Sequence, residues 1–219
     1  MTDSNTAPLP PDAPWIVLKF GGTSVAAAER WRTIQQLVAA RRAEGARVLV
    51  VVSALAGVTD ALKALCACAP GERAASLTNL HERHRALLTE MSLPQCDAME
   101  RWLQSLAALA QAFPPSAPPL ASEEAHYEKR SASADARGGA PSPASGGREY
   151  LWQAQIQAHG ELLSSSLGAE FMSANGLQTE WLDAREALLA REVPFLNERS
   201  RALSAQVDAQ HDASFAAAL

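Results

Sequence analysis

WIVLKFGGTS, residues 15–24, passes from an apolar run through a lysine and a phenylalanine into two glycines and two hydroxyls. The β-branched and aromatic residues predict a strand. Gly21 and Gly22 predict a tight turn, and a helical pattern follows from Val25 or Ala26. Lys19 sits inside the apolar run with Phe20 after it, so its ammonium must emerge where strand meets loop. Two glycines leave backbone N–H groups able to face an anion, and a strand, a glycine turn and a helix N-terminus together make a phosphate site. A plain tight turn, with Lys19 as a solvated strand end, accounts for the same residues. The stretch is neither the GxxxxGK[ST] loop nor GxGxxG, and local chemistry leaves both readings open.

Downstream, Trp31, Ile34, Leu37 and Val38 fall at helical spacing, with Gly45 as the stop. RVLVVVSA, Arg47–Ala54, is apolar throughout, as expected of a strand buried on both faces of a parallel sheet. Strand, crossover helix and second strand predict a βαβ unit. A turn at Gly57 leads into a helix capped by Thr59 or Asp60 and ended by Pro70-Gly71. Two further helices between Glu72 and Phe113 are separated near Pro94, with Leu77, Leu80, Leu87 and Leu88 on one stripe and Trp102, Leu103, Leu106 and Leu109 on the other. The charged run HERHR, His81–Arg85, reads as a solvated helical face.

From Pro114 to Gly147, Pro, Ser, Ala and Gly supply 24 of 34 residues, too few apolar groups to offset the entropy of ordering, which predicts a mobile low-complexity insertion at 114–147. Helical periodicity resumes at Arg148, with Leu151, Ile156, Leu162, Leu163, Leu167 and Phe171 on the core side and Asn175-Gly176 at the end. A short strand is expected over Thr179–Leu182, then a turn at Asp183. A last helix starts near Asp208 or Asp212 and runs to Leu219 without a stop signal, so the fold is expected to be incomplete at the C-terminus.

The 219 residues, 47% hydrophobic, suffice for one domain with a substantial core, and a net charge of −5 disfavours nucleic acid and anionic membrane as partners. Residues 1–14 are acidic and proline-rich, read as a disordered leader and not a signal peptide. No apolar run is long enough to span a bilayer, and a cytoplasmic protein is expected. Cys66, Cys68 and Cys96 lack metal-type spacing and read as structural thiols, and no metal ligands are assigned.

Three places then hold polar groups at the ends of buried elements: Lys19 with Gly21–Ser24, Ser53 with Thr59, and Glu161 in AHGELLSSS. The first two should face one crevice at the C-terminal strand ends of a parallel sheet. Gly160 and Ser164–Ser166 would let the helix carrying Glu161 approach another backbone closely.

KFGGTSV at 19–25, VSALAGVTD at 52–60 and HGELLSS at 159–165 resemble, in order, three signature segments of the aspartate kinases of the amino acid kinase superfamily. The resemblance implies an α/β fold, a three-layer αβα sandwich with a mostly parallel sheet, covering 15–219 outside the insertion. It further implies that Lys19, Phe20, Gly21, Gly22, Thr23 and Ser24 hold ATP phosphates, with Lys19 and Glu161 catalytic, and that Ser53, Thr59 and Glu161 meet L-aspartate. Glu161 would bind the substrate amino group or orient Lys19, and Mg²⁺ would be held chiefly by the phosphates. The product would be 4-phospho-L-aspartate, and the complete protein a homo-oligomer. The GRGGSD-like segment of that family is not present in residues 1–219. The leader resembles that of fused aspartate kinase–diaminopimelate decarboxylases. Another amino acid kinase of glutamate or acetylglutamate type, and a non-catalytic fragment acting through protein contacts, are the competing readings.

Overall fold

The computed structural model describes residues 10, 12–112, 143–188, 190–191 and 206–207, those at 143–148, 190–191 and 206–207 by backbone alone. Strand β1 (Trp15–Phe20) and strand β2 (Arg47–Val52) pair in parallel, Trp15 opposite Arg47 through Phe20 opposite Val52. Their register makes the C-terminal ends level, so whatever follows Phe20 and Val52 meets at one edge. Between them runs α1 (Ala28–Ala43), ended by Gly45 at φ +88°, with the Ala46 and Gly45 N–H groups returning to the Arg41 and Arg42 carbonyls. That closure requires a left-handed residue, which glycine supplies without a Cβ penalty.

Helix α2 (Val58–Ala67) follows β2, then α3 (Arg73–Glu90) and α4 (Asp97–Ala112). The long α5 (Pro143–Ala174) ends at Gly176, φ +84°, and packs chiefly on α4 and α2. A single turn, α6 (Ala184–Ala187), is capped by Asp183. Two-residue strands β3 (Ala190–Arg191) and β4 (Gln206–Val207) pair antiparallel. The α/β class and the parallel ladder are those the sequence implied.

One cluster forms the core, uniting Val25, Trp31, Ile34 and Val38 near and on α1, Leu62 and Leu65 on α2, Leu80 and Leu87 on α3, Leu103 and Leu106 on α4, and Ile156, Leu163, Leu167 and Phe171 on α5. The even-numbered strand residues Leu18, Phe20, Val48, Val50 and Val52 pack against it. Burying a leucine-sized side chain fully is worth about 1.5–3 kcal/mol, so this cluster supplies most of the adhesion among the helices. Trp31 seats on Gly168, whose missing side chain opens the space for the ring, and its indole N–H donates to the Val25 carbonyl at 2.9 Å.

Several expectations are corrected. Leu37 and Leu151, assigned to buried stripes, are 41% and 53% exposed, because each lies at the rim of its helix's apolar arc. The 179–182 segment forms no strand; it lacks a ladder partner among the described residues, and a strand is defined by pairing more than by propensity. The helical backbone of α5 begins at Pro143, five residues before Arg148 and inside the span read as an insertion. HERHR is not wholly solvated: His84 is fully buried, since it falls four residues after Leu80 on the same face. Neither Thr59 nor Asp60 caps α2; Gly57, φ +76°, holds that position with no side-chain cap. The helix expected near Asp208 or Asp212, residues 1–9 and 11 of the leader expected over 1–14, and most of 114–147 lie outside the described residues.

Among the described residues helices cover one face of the ladder; the second helical layer of a three-layer sandwich is not among them. No helix there is long and apolar enough to cross a membrane.

Candidate active site

Lys19 is the penultimate residue of β1 and is exposed on the odd-numbered face, with no carboxylate within 4.0 Å among the described residues. An uncompensated ammonium at a strand end is available to an anion. After Phe20 the chain makes a single 3₁₀ turn over Gly22–Val25, closed by the Ser24 N–H to the Gly21 carbonyl at 2.9 Å, before α1 starts at Ala28. The expected helix at Val25 or Ala26 is thus a tighter turn with α1 set two residues later.

The two glycines differ in what requires them. A Cβ on Gly21 would meet nothing within 4 Å, so the space before the turn is open. A Cβ on Gly22 would lie 2.6 Å from the Ala54 carbonyl oxygen, a distance real side chains do not tolerate. Gly22 is therefore needed for the approach of two loops, whereas no neighbour demands a glycine at 21. Ser53 N–H donates to the Phe20 carbonyl at 3.1 Å and Ala56 N–H to the Gly22 carbonyl at 3.1 Å, stitching the turn after β1 to the loop after β2. Thr59 stands half-buried in the first turn of α2, on the same loop.

Glu161 reaches this edge from α5. Its Oε1 accepts from the Ala54 N–H at 3.3 Å, and it makes no ion pair with Lys19; of its two expected roles, orienting Lys19 is not what the geometry shows. Gly160 allows the approach, since a Cβ there would lie 2.7 Å from that of Ala54. Ser164 donates to the Ser53 carbonyl at 2.8 Å, fixing α5 one turn beyond Glu161. The Gly160 and serine expectation holds, and the other two serines serve different neighbours. Ser165 accepts from the Trp181 indole and Ser166 from the Trp102 indole, both at 3.0 Å.

These indoles belong to a cluster the sequence did not reveal. Trp102 and Trp181 stand 5.9 Å apart, the Arg185 guanidinium lies 5.3 Å from the Trp102 ring, and His159 meets the same ring edge-on at 6.1 Å. Arg185 is locked bidentately to Asp183, Nε to Oδ1 at 2.9 Å and an Nη to Oδ2 at 2.6 Å. That pairing holds the Asp183 carboxyl below its usual range and pushes Arg185 up. Burial, with the Arg185 charge nearby, lowers the His159 pKa. The D-x-R spacing of Asp183 and Arg185 after a tryptophan was the available signal. Glu161, Ser165, Trp181 and Asp183 line a cavity of about 640 Å³ together with Val48–Val52 of β2.

What can this arrangement hold? Lys19, open space before Gly21 and turn N–H groups suit a polyphosphate, and no cluster of three or more metal-ligating side chains exists among the described residues. Cys66, whose thiol burial pushes up to about 12, and buried Cys96 are inert.

A parallel ladder with level strand ends, a glycine turn stitched to the loop after β2 and a helix-borne carboxylate bonded to that loop define an α/β protein whose polar groups gather at the C-terminal strand edge. Residues 14–214 match the Amino acid kinase family, and the chain belongs to it. It is 28% identical to the aspartokinase of Chlamydia muridarum over 80% of its own length and 31% of that protein, and 28% identical to the lysine-sensitive aspartokinase 3 of Escherichia coli over 79% and 32%. Among solved structures it resembles E. coli aspartokinase III in complex with aspartate and ADP (R-state), TM-score 0.56, 27% identity, covering 82% of this chain and 33% of that one. The lysine and aspartate complex (T-state) gives TM-score 0.61 at 26% identity, covering 93% and 36%. The chain spans about a third of the length of these relatives.

Proposed function

We propose that this chain is the N-terminal portion of an aspartate kinase, which transfers the ATP γ-phosphoryl group to the side-chain carboxylate of L-aspartate. The carrying observation is the stitching of Gly22 to Ala54 and Ala56, which sets the Lys19 turn and the Ser53–Thr59 loop as one surface with Glu161 bonded to it. Lys19 would offset charge on the phosphoryl group in transit, and the Gly21–Ser24 turn would hold the neighbouring phosphates. Phosphoryl transfer is mostly positioning and electrostatics, for which a fixed cation and backbone donors suffice. Thr59 and Ser53 would face the amino acid, whose ammonium the exposed Glu161 carboxylate would pair. The nucleotide supplies the phosphoryl group, and Mg²⁺ adds charge neutralisation through the phosphates. Lysine, threonine and methionine biosynthesis, a cytoplasmic location, a homo-oligomeric whole protein and a fused decarboxylase belong to the same proposal.

The test is ADP release by the full-length protein with L-aspartate, L-glutamate or N-acetylglutamate as acceptor. Aspartate dependence is expected; preference for either alternative would replace the reading with another amino acid kinase. Lys19→Ala should cost turnover about 3 kcal/mol or more of barrier, with the thermal midpoint unchanged. Thr59→Val should raise the KM for aspartate more than that for ATP.

A further inference from the structure

The loop between β2 and α2 turns on Gly57 at φ +76° and enters its helix without a side-chain cap. Glycine is the most permissive residue at such a turn, and this helix start lacks the bond that a capping side chain supplies. Main-chain bonds from Ser53 and Ala56 and the buried Leu55 and Val58 hold the inner side of this loop, and the outer side of the turn at Ala56 and Gly57 meets a further group. From α3, the Arg83 guanidinium donates to the Ala56 carbonyl. Its atoms lie 3.3–3.9 Å from where a Cβ on Gly57 would be, so the group lies directly over the turn. The Ala56 N–H is already bonded to the Gly22 carbonyl at 3.1 Å, and residue 56 is thereby gripped from both sides, by the turn after β1 and by Arg83. A cation beside a helix N-terminus is electrostatically unfavourable to that helix, so stabilising α2 does not explain the contact. A planar guanidinium with forked donors can both bond a carbonyl and cover a backbone turn, which a lysine does only in part.

We infer that Arg83 is a positioning residue for the amino acid acceptor: by clamping Ala56 and Gly57 it sets the Ser53–Thr59 loop against the phosphate-binding turn. The inference rests on the aspartate kinase reading above. It also gives the charged HERHR run a role beyond solvation.

The test compares Arg83→Ala, Arg83→Lys and Arg85→Ala in the full-length protein; Arg85 serves as control because it pairs with Glu100 on α4. Arg83→Ala should raise the KM for aspartate about tenfold, with kcat and the KM for ATP shifting less than about threefold. Arg83→Lys should restore part of the loss, and Arg85→Ala should leave all three constants unchanged. In hydrogen exchange, the Ala56 and Val58 amides of Arg83→Ala should exchange about tenfold faster while those of β1 do not. Unchanged aspartate KM, or a uniform fall in kcat together with a lowered thermal midpoint and no KM split, overturns the inference. Should the unsubstituted protein show no aspartate-dependent ADP release, the kinase reading fails, and exchange alone decides the clamp: faster Ala56 exchange upholds it and unchanged exchange removes it.

Discussion

The two faces of the β1–β2 ladder differ in make-up and meet different fates: the even-numbered face is wholly apolar, and the odd-numbered face sets Lys19 and Arg47 among Trp15, Val17, Leu49 and Val51. Leu18, Phe20, Val48, Val50 and Val52 sit against the helices, whereas on the other face Val17 is 61% exposed, Val51 42% and Trp15 41%. The Arg47 guanidinium lies 5.5 Å from the Trp15 ring. The difference teaches that composition records how many faces a strand is written to bury, while the described structure records which face its helices cover. Lys19 lies on the open face, and its neighbour Phe20 on the packed one. Chemistry at the strand ends is thus presented on one side and anchored on the other.

The largest expected effect tests the packed side. Trp31→Ala removes a ring 2% exposed that is seated on Gly168 and should cost about 3–5 kcal/mol in urea unfolding. Val17→Ala on the open face should fall within about 0.5 kcal/mol. Similar losses from the two would break the comparison.

The same contrast at the turn is smaller. Gly22→Ala drives a methyl into the Ala54 carbonyl and should cost about 1–3 kcal/mol, together with most ligand affinity at the crevice. Gly21→Ala, at φ −78° and ψ 169° with open space before it, should cost under about 0.5 kcal/mol. Unfolding midpoints of the pair check this, and equal midpoints would show that the two loops are not in contact.

Smallest is the pH response of the packed side. Burial lowers the His84 pKa below its ordinary 6.5, and that of His159 likewise. Each folded imidazole stays neutral where the unfolded one takes a proton, so stability is full above about pH 6.5 and declines as pH falls toward the folded values, by at most about 1.4 kcal/mol per pH unit for each histidine. Asp183, held low by Arg185, contributes stability present above its ordinary 3.8 and lost below it, outside that window. Urea unfolding at pH 7.5 and 5.5 reads the slope. His84→Leu should reduce it, and an unchanged slope would place the burden on His159.

Much of this was legible in the residues. WIVLKFGGTS and RVLVVVSA declare a parallel pair, since uniform apolarity with β-branching has few other solutions, and Gly45 and Gly176 mark helix ends through a conformation other residues resist. What escaped was relational. His84 is polar by type yet buried by its place four residues after Leu80, and Leu37 is apolar yet sits outside the packed arc. The Trp102–Trp181–Arg185 cluster joins residues far apart in sequence, and no local pattern announces that an indole will meet a serine on α5. Gly22 is legible as part of a tight turn, but what forbids a side chain there is Ala54, thirty-two residues on. Glu161 is marked by its signature, while its hydrogen-bond partner, the Ala54 amide, is not.

The contact of Gly22 with Ala54 also bears on how this crevice can be altered by selection or by an engineer. Because the two loops touch through main-chain atoms, with no side chain between them to absorb a change, a library that randomises the KFGGTS stretch alone explores a surface whose shape is dictated from residues 53–56. Useful diversity lies in pairs of changes, one on each loop, and drift at either is constrained to follow the other.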